Sequence, residues 1–180
     1  HIYDVLLIKN GDTMIYHSGN KKNLTRGTRV EAYDIAHTAG KGTVGVMVAV
    51  VDGEAVKSEY RKFKIRGEGK VSIDDIANLK EILIRRLGHH EWSLPDIMVV
   101  DGGKAQHNAA KEVLKERNFN AEIVSVIKDE RHKPREILGK RGVVEHHNRG
   151  ILLANSEAHR FAIAYHRKAR SKTFLTKDKK

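Results

Sequence analysis

The 180-residue chain carries 34 Lys and Arg against 23 Asp and Glu, a formal net charge of +11, and no cysteine. The missing cysteine excludes disulfide scaffolds, thiol nucleophiles and Cys-ligated zinc, and no apolar run approaches the roughly 20 residues of a membrane span. A basic surface that keeps its own acids suits a polyanion such as nucleic acid; the bland alternative is a soluble protein that happens to be basic. Hydrophobic residues make up 39% and 15 glycines are added to them, an ordinary core composition for one domain. No charged-then-apolar leader opens the chain. It starts at His1, so it reads as an excised part of something longer, and a reducing cytoplasm fits it.

Residues 2–8 are apolar and predict a strand. Residues 9–29 are polar, with Met14-Ile15-Tyr16 as the one candidate strand in a loop or loose hairpin. Residues 30–36 are strand-like, and a period of two puts Ala32, Asp34 and Ala36 on one face. Residues 43–51 form a β-rich run almost without charge, which suits a central strand. Asp52-Gly53 is a strong hairpin signal, and residues 54–65 read as the return strand. Ser72 and Asp75 form a box-like helix start. Ile76, Leu79, Ile82, Leu83 and Leu87 then follow at helical spacing, with Gly88 as the cap.

Leu94-Pro95 leads into a strand over 97–100. Residues 105–117 predict a helix and 122–127 a further strand. Residues 128–150 are polar and basic, and read as a mobile arm or irregular hairpin that contacts DNA. The last helix is expected over 151–173, with 174–180 as a basic tail. The order gives a mixed α/β sheet, three antiparallel strands and then parallel ones, with helices on both faces. Residues 30–173 form the expected main domain, and 1–29 a strand and linker.

The chemistry gathers on a few residues. Asp101 ends a buried run and precedes Gly102-Gly103-Lys104, so it is held rigidly yet reaches solvent. If its strand neighbours that of Asp34, the two carboxylates face each other at the sheet end. Two carboxylates with open positions suit Mg²⁺ or Mn²⁺. His159 on the last helix is placed to act as a ligand or to handle a proton. On that helix His159, Ile163, His166 and Arg170 share a face, with Arg160 and Arg167 flanking it, where a phosphate backbone would meet basic groups. A second face holds Ala158, Ala162, Tyr165 and Ala169. Each motif also has a plain reading. Asp-Gly-Gly after a strand is turn chemistry, a strand aspartate is simply hydrogen-bonded, and the stripe is a solvated face.

Three motifs in order and spacing resemble one family. Val30-Glu31-Ala32-Tyr33-Asp34-Ile35-Ala36-His37, Asp101-Gly102-Gly103-Lys104 and Glu157-Ala158-His159-Arg160-Phe161-Ala162-Ile163 are similar to the C-terminal endonuclease domain of UvrC, the incision subunit of bacterial nucleotide excision repair. The resemblance covers about residues 28–173. It implies an RNase H-like fold and a metal-dependent cut on the 5′ side of a lesion in duplex DNA. It also implies a catalytic set of Asp34, Asp101 and His159, with the metal on the two aspartates. A further acid at the start of the first helix falls on Asp74 or Asp75, and Lys104 takes a phosphate or orients a carboxylate. Ala154-Asn155-Ser156 stand where the family has a more charged stretch. The GIY-YIG nuclease domain, the UvrB-binding segment and the helix-hairpin-helix clamp are absent from this sequence, so UvrB would be met through other parts. Two readings compete with an active nuclease: an idle RNase H-like module that binds DNA or a partner, and a nucleotide-binding α/β domain. The second lacks a Gly-x-Gly-x-x-Gly after a strand.

Overall fold

The computed structural model describes residues 5–9, 12–16, 27–38, 42–66, 74–131 and 133–177. Strands β1 (Val5–Lys9) and β2 (Asp12–Tyr16) pair antiparallel, so the strand expected over 2–8 and the candidate at Met14-Ile15-Tyr16 form one hairpin. The main sheet is separate. It contains β3 (Arg29–Thr38), β4 (Gly42–Val51), β5 (Glu54–Ala55), β6 (Arg61–Lys64), β7 (Ile97–Asp101), β8 (Glu122–Lys128) and β9 (Pro134–Leu138). Its order is β5-β4-β3-β7-β8-β9, with β6 also on β4. β3 and β4 pair antiparallel from Arg29↔Val51 to Thr38↔Gly42, while β7 lies parallel to both β3 and β8. This is the expected mixed sheet.

The third strand of the meander is interrupted. Asp52 and Gly53 both have positive φ, as the tight hairpin turn requires. β4 then pairs Val50↔Ala55 but Met47↔Arg61, so three steps back on β4 match six forward on the return strand. A 3₁₀ turn at Lys57–Glu59 takes up the three extra residues.

Alternation along the strands sends side chains to two layers. On one side Tyr33, Met47, Phe63, Met98 and Val100 pack against α1 (Asp75–Leu87) and α2 (Lys104–Glu116). The α1 stripe Leu79, Ile82, Leu83 and Leu87 is buried as its spacing predicts; truncating a fully buried Ile82 to Ala costs about 2–5 kcal/mol. The α1 cap is Asp74, whose carboxylate accepts from the Ile76 and Ala77 amides at 3.0 and 3.1 Å. The expected cap, Ser72, lies outside the described residues.

On the other side Val30, Ala32, Val48, Val50, Val99, Val124 and Val126 pack against α3 (Arg141–Lys177). α3 begins ten residues before the expected start and bends at His147, whose backbone is non-helical (φ −114°, ψ 15°). It buries Ile151, Ala154, Ala158 and Ala162. Alanines on the helix meet Ala32 and Ala36 on β3, and small side chains on both sides let the two backbones come close. Of the two alternatives for 128–150, the irregular hairpin holds and the mobile arm does not. The segment supplies the end of β8, a turn tied by Asp129 to the Arg131 and Lys133 amides, strand β9 and the first turns of α3.

Candidate active site

Parity along the strands sets the site. Asp34 follows Ala32 on β3, Asp101 follows Val99 on β7, and Lys128 follows Val126 on β8, so all three belong to the α3 face. β3 and β7 are paired up to Tyr33↔Val100; Asp34 and Asp101 are the next residue on each strand. Asp101 itself is opposite Val126. Gly102 then turns the chain with φ +128°, where a Cβ would lie 2.6 Å from the Gln106 side chain. The Gly102 amide donates to Val126 O, and Gln106 Oε1 accepts from the Gly103 amide, which closes the first turn of α2.

Around this end stand four charged or titratable groups. Asp34 Oδ1 accepts from the Ile35 amide at 2.8 Å, and Asp34 Oδ2 lies 3.3 Å from His159 Nδ1. Lys128 Nζ donates to Asp101 Oδ2 at 2.8 Å. The Asp34 side chain is 13% exposed and that of Asp101 29%. Burial raises the carboxyl pKa of Asp34 above the ordinary aspartate range, and the nearby charge of Asp101 raises it further. The Ile35 amide, Lys128 and His159 pull the other way without cancelling this. Ionised Asp34 is thus an electrostatically strained group that a bound cation would relieve.

The other sequence candidates divide. Asp74 and Asp75 are not brought to this pair: Asp74 caps α1, and Asp75 Oδ1 lies 2.8 Å from His37 Nε2. Lys104 is exposed at the first turn of α2. The Arg160 guanidinium is committed to Glu157, with contacts of 2.7 and 2.6 Å. His166 is half-buried and Arg167 exposed, both about two turns beyond His159; Arg170 belongs to the α3 backbone, and its side chain lies outside the described residues. Sequence reading missed Lys128, which it placed in the basic arm. The available signal was parity, because Lys128 lies two residues after an apolar β8 position opposite the Asp101 strand.

Among the described residues no three His, Asp or Glu side chains are gathered closely enough to enclose an ion. The donor set is two carboxylates with solvent beside them, as suits a hard divalent cation that keeps several waters. An ammonium already lies on Asp101, so the place accepts positive charge.

Comparison with known proteins gives the family. Residues 20–163 match the profile of the UvrC RNase H endonuclease domain. The chain belongs to that family. It is 40% identical to UvrABC system protein C of Caldicellulosiruptor saccharolyticus, over 80% of this chain and 25% of that protein. With the protein of the same name from Caldanaerobacter subterraneus it shares 35% identity, over 92% of this chain and 30% of the relative. This sequence therefore spans between a quarter and a third of those UvrC proteins. Ciona intestinalis endonuclease V bound to DNA is similar at a TM-score of 0.40 and 15% identity, over 70% of this chain and 56% of that one, too distant to bear on the site. The sheet order and the family together make the fold RNase H-like. Among the described residues no helix is long and apolar enough to cross a membrane.

Proposed function

We propose that this chain is the nuclease domain that makes the 5′ incision beside a lesion in nucleotide excision repair, with Mg²⁺ or Mn²⁺ as its cofactor. One observation carries the reading: Asp101 ends β7, and Asp34 on the parallel neighbour β3 is the next residue after the last pair, so two carboxylates gather there, with burial first and the charge of Asp101 second holding up the Asp34 carboxyl. Those two residues would hold the cation. When bound, it supplies charge neutralisation at the phosphodiester and makes a water molecule more acidic. His159 Nδ1, 3.3 Å from Asp34 Oδ2, is oriented to hold or pass a proton at that edge of the site. Lys104, His166, Arg167 and Arg170 are the cations proposed to meet the DNA backbone. Arg160 joins them only if it leaves Glu157. Residues 30–173 act as the cutting unit, and contacts to UvrB belong to other parts of the full protein.

The test is nicking of a lesion-bearing duplex with Mn²⁺ by the 180-residue chain at high protein concentration. Asp34→Asn and Asp101→Asn are each expected to lower the rate by at least about 10³-fold with the fold intact. Wild-type cutting by either variant would sink the reading. Salt-dependent DNA binding with no metal-dependent nicking by the wild type would favour the idle RNase H-like module instead.

A further inference from the structure

Lys128 stands out among the groups at this site because no motif predicts it and its partner is a proposed metal ligand. Its ammonium donates to Asp101 Oδ2 at 2.8 Å, and its side chain is only 13% exposed. The backbone beneath it is fixed. Lys128 pairs with Pro134 beside a bulge in which β9 carries the extra residue, Arg135, while β8 runs on from Ile127 to Lys128 without a skip, so the alternation along β8 holds as far as Lys128. The next residue, Asp129, ties the turn by accepting from the Arg131 and Lys133 amides at 2.9 and 2.8 Å. Its own amide donates to Lys133 O. A flexible lysine drifting over a surface would need none of this.

We infer that Lys128 is the resident counter-cation of the acidic pair: it occupies the Asp101 oxygen that a divalent metal would use, and it must be displaced for the metal to bind. The inference rests on the reading of Asp101 as a metal ligand. An ammonium and a divalent cation brought to the same carboxylate oxygen repel each other at close range, so lysine and metal compete. With no metal bound, Lys128 screens two carboxylates that would otherwise repel across the strand ends. Once displaced, its four-carbon stem keeps the charge near the site, where the anionic backbone of a nucleic acid can receive it. The metal site is thereby weak until substrate supplies a second home for the ammonium. Lys128 acts through Asp101, as a positioning residue.

Calorimetric titration with Mn²⁺ alone, without DNA, tests this on the 180-residue chain. Lys128→Met and Lys128→Gln are both expected to bind Mn²⁺ about tenfold more tightly than wild type, from the loss of one competing charge. Lys128→Arg keeps the charge and is expected to stay within about twofold of wild type or to bind more weakly. In an Asp101→Asn background the Lys128→Met gain should vanish, because the contested oxygen is gone. Equal or weaker binding by both neutral variants overturns the inference and leaves the metal reading standing. No binding by wild type or either neutral variant overturns both. A measurement on wild type guards against variants that fold poorly. The Lys128 side-chain NMR signal should move on Mg²⁺ addition in step with metal uptake. Metal uptake with an unmoved signal would overturn the displacement.

Discussion

Strand β3 carries two charged clusters on its two faces, and they are built to opposite rules. On the α1 face Glu31 is fully buried and saturated. Arg29 Nε and Nη2 lie 2.9 and 2.8 Å from its Oε1, Arg86 supplies Nη2 at 2.9 Å and Nε at 2.8 Å, and the Tyr33 hydroxyl donates to Oε2 at 2.7 Å. Arg86 also donates to Ser93 O, and Arg29 reaches Glu59. Two arginines meet two glutamates, and every strong donor is aimed at an acceptor. Three residues along, on the α3 face, Asp34 is partly exposed, lies close to another carboxylate and has its own carboxyl raised by burial and by that neighbour. Saturation locks the first cluster into the core. Under-compensation leaves the second with a carboxyl that burial and its neighbour hold above the ordinary range, the electrostatic basis of the proposed cation site. Buried charge is therefore a structural sign in one place and a functional sign in the other; what separates them is whether the partners balance.

If that distinction is right, breaking the saturated cluster damages the fold and relaxing the strained one does not. Glu31→Gln removes the acceptor shared by two buried guanidinium groups, and is expected to destabilise by about 3–5 kcal/mol. Urea unfolding with an unchanged m-value would measure it; a loss under about 1 kcal/mol would mean that the arginines find other partners. Asp34→Asn should act in the opposite direction. The folded carboxyl is raised above the ordinary aspartate value of 3.8, so the unfolded chain ionises it first and the fold loses stability as pH rises through the folded value. At pH 8 the variant is expected to melt about 2–4 °C above wild type. That gap should close toward pH 4, where Asp34 takes up its proton. A variant less stable than wild type at pH 8 would show that the His159 and Ile35 contacts outweigh the strain.

How much of this was readable beforehand follows the same division. Asp34, Asp101 and His159 were legible because each stands out against its element: an acid among small strand residues, an acid at a strand end, a histidine between buried alanines. The mixed sheet followed from a hairpin and then strand–helix alternation, while the adjacency of β3 and β7 stayed a condition that only the structure meets. The buried ion cluster was not legible. Arg29, Glu31 and Arg86 are ordinary letters in a basic chain, and only the packing of α1 on β3 turns them into partners 55 residues apart. Lys128 was hidden by composition: among the lysines and arginines of 128–150 it looked like part of a solvated arm. The early start of α3 was hidden for the same reason, since residues 141–150 contain glycines and paired histidines that read as breakers. The helix holds there through tertiary contacts, with Val143 and Val144 packed against the sheet.

A third cluster separates saturation from burial, and so tests which of the two matters. Glu157 on α3 accepts from the Tyr60 hydroxyl at 2.7 Å and from Arg160 at 2.7 and 2.6 Å. Both its oxygens are partnered, as those of Glu31 are, though by one guanidinium instead of two, and Arg160 is 54% exposed. Arg160 first, with help from Tyr60, holds the Glu157 carboxyl down to about 2 against the opposing effect of burial. A lowered folded value means that the contribution is present in full above the ordinary glutamate value of 4.5, and is lost as pH falls through about 2. Water and salt screen an exposed pair, so Glu157→Gln should lower the melting temperature by only about 1–2 °C at pH 7. The gap should shrink in about 1 M salt and shrink again as pH falls from 4 toward 2. Burial then sets how much a saturated cluster is worth, and partner balance sets whether it serves the fold at all. A loss as large as that of Glu31→Gln would reverse the first half of that statement, because two hydrogen-bonded partners would then suffice without a dry surround.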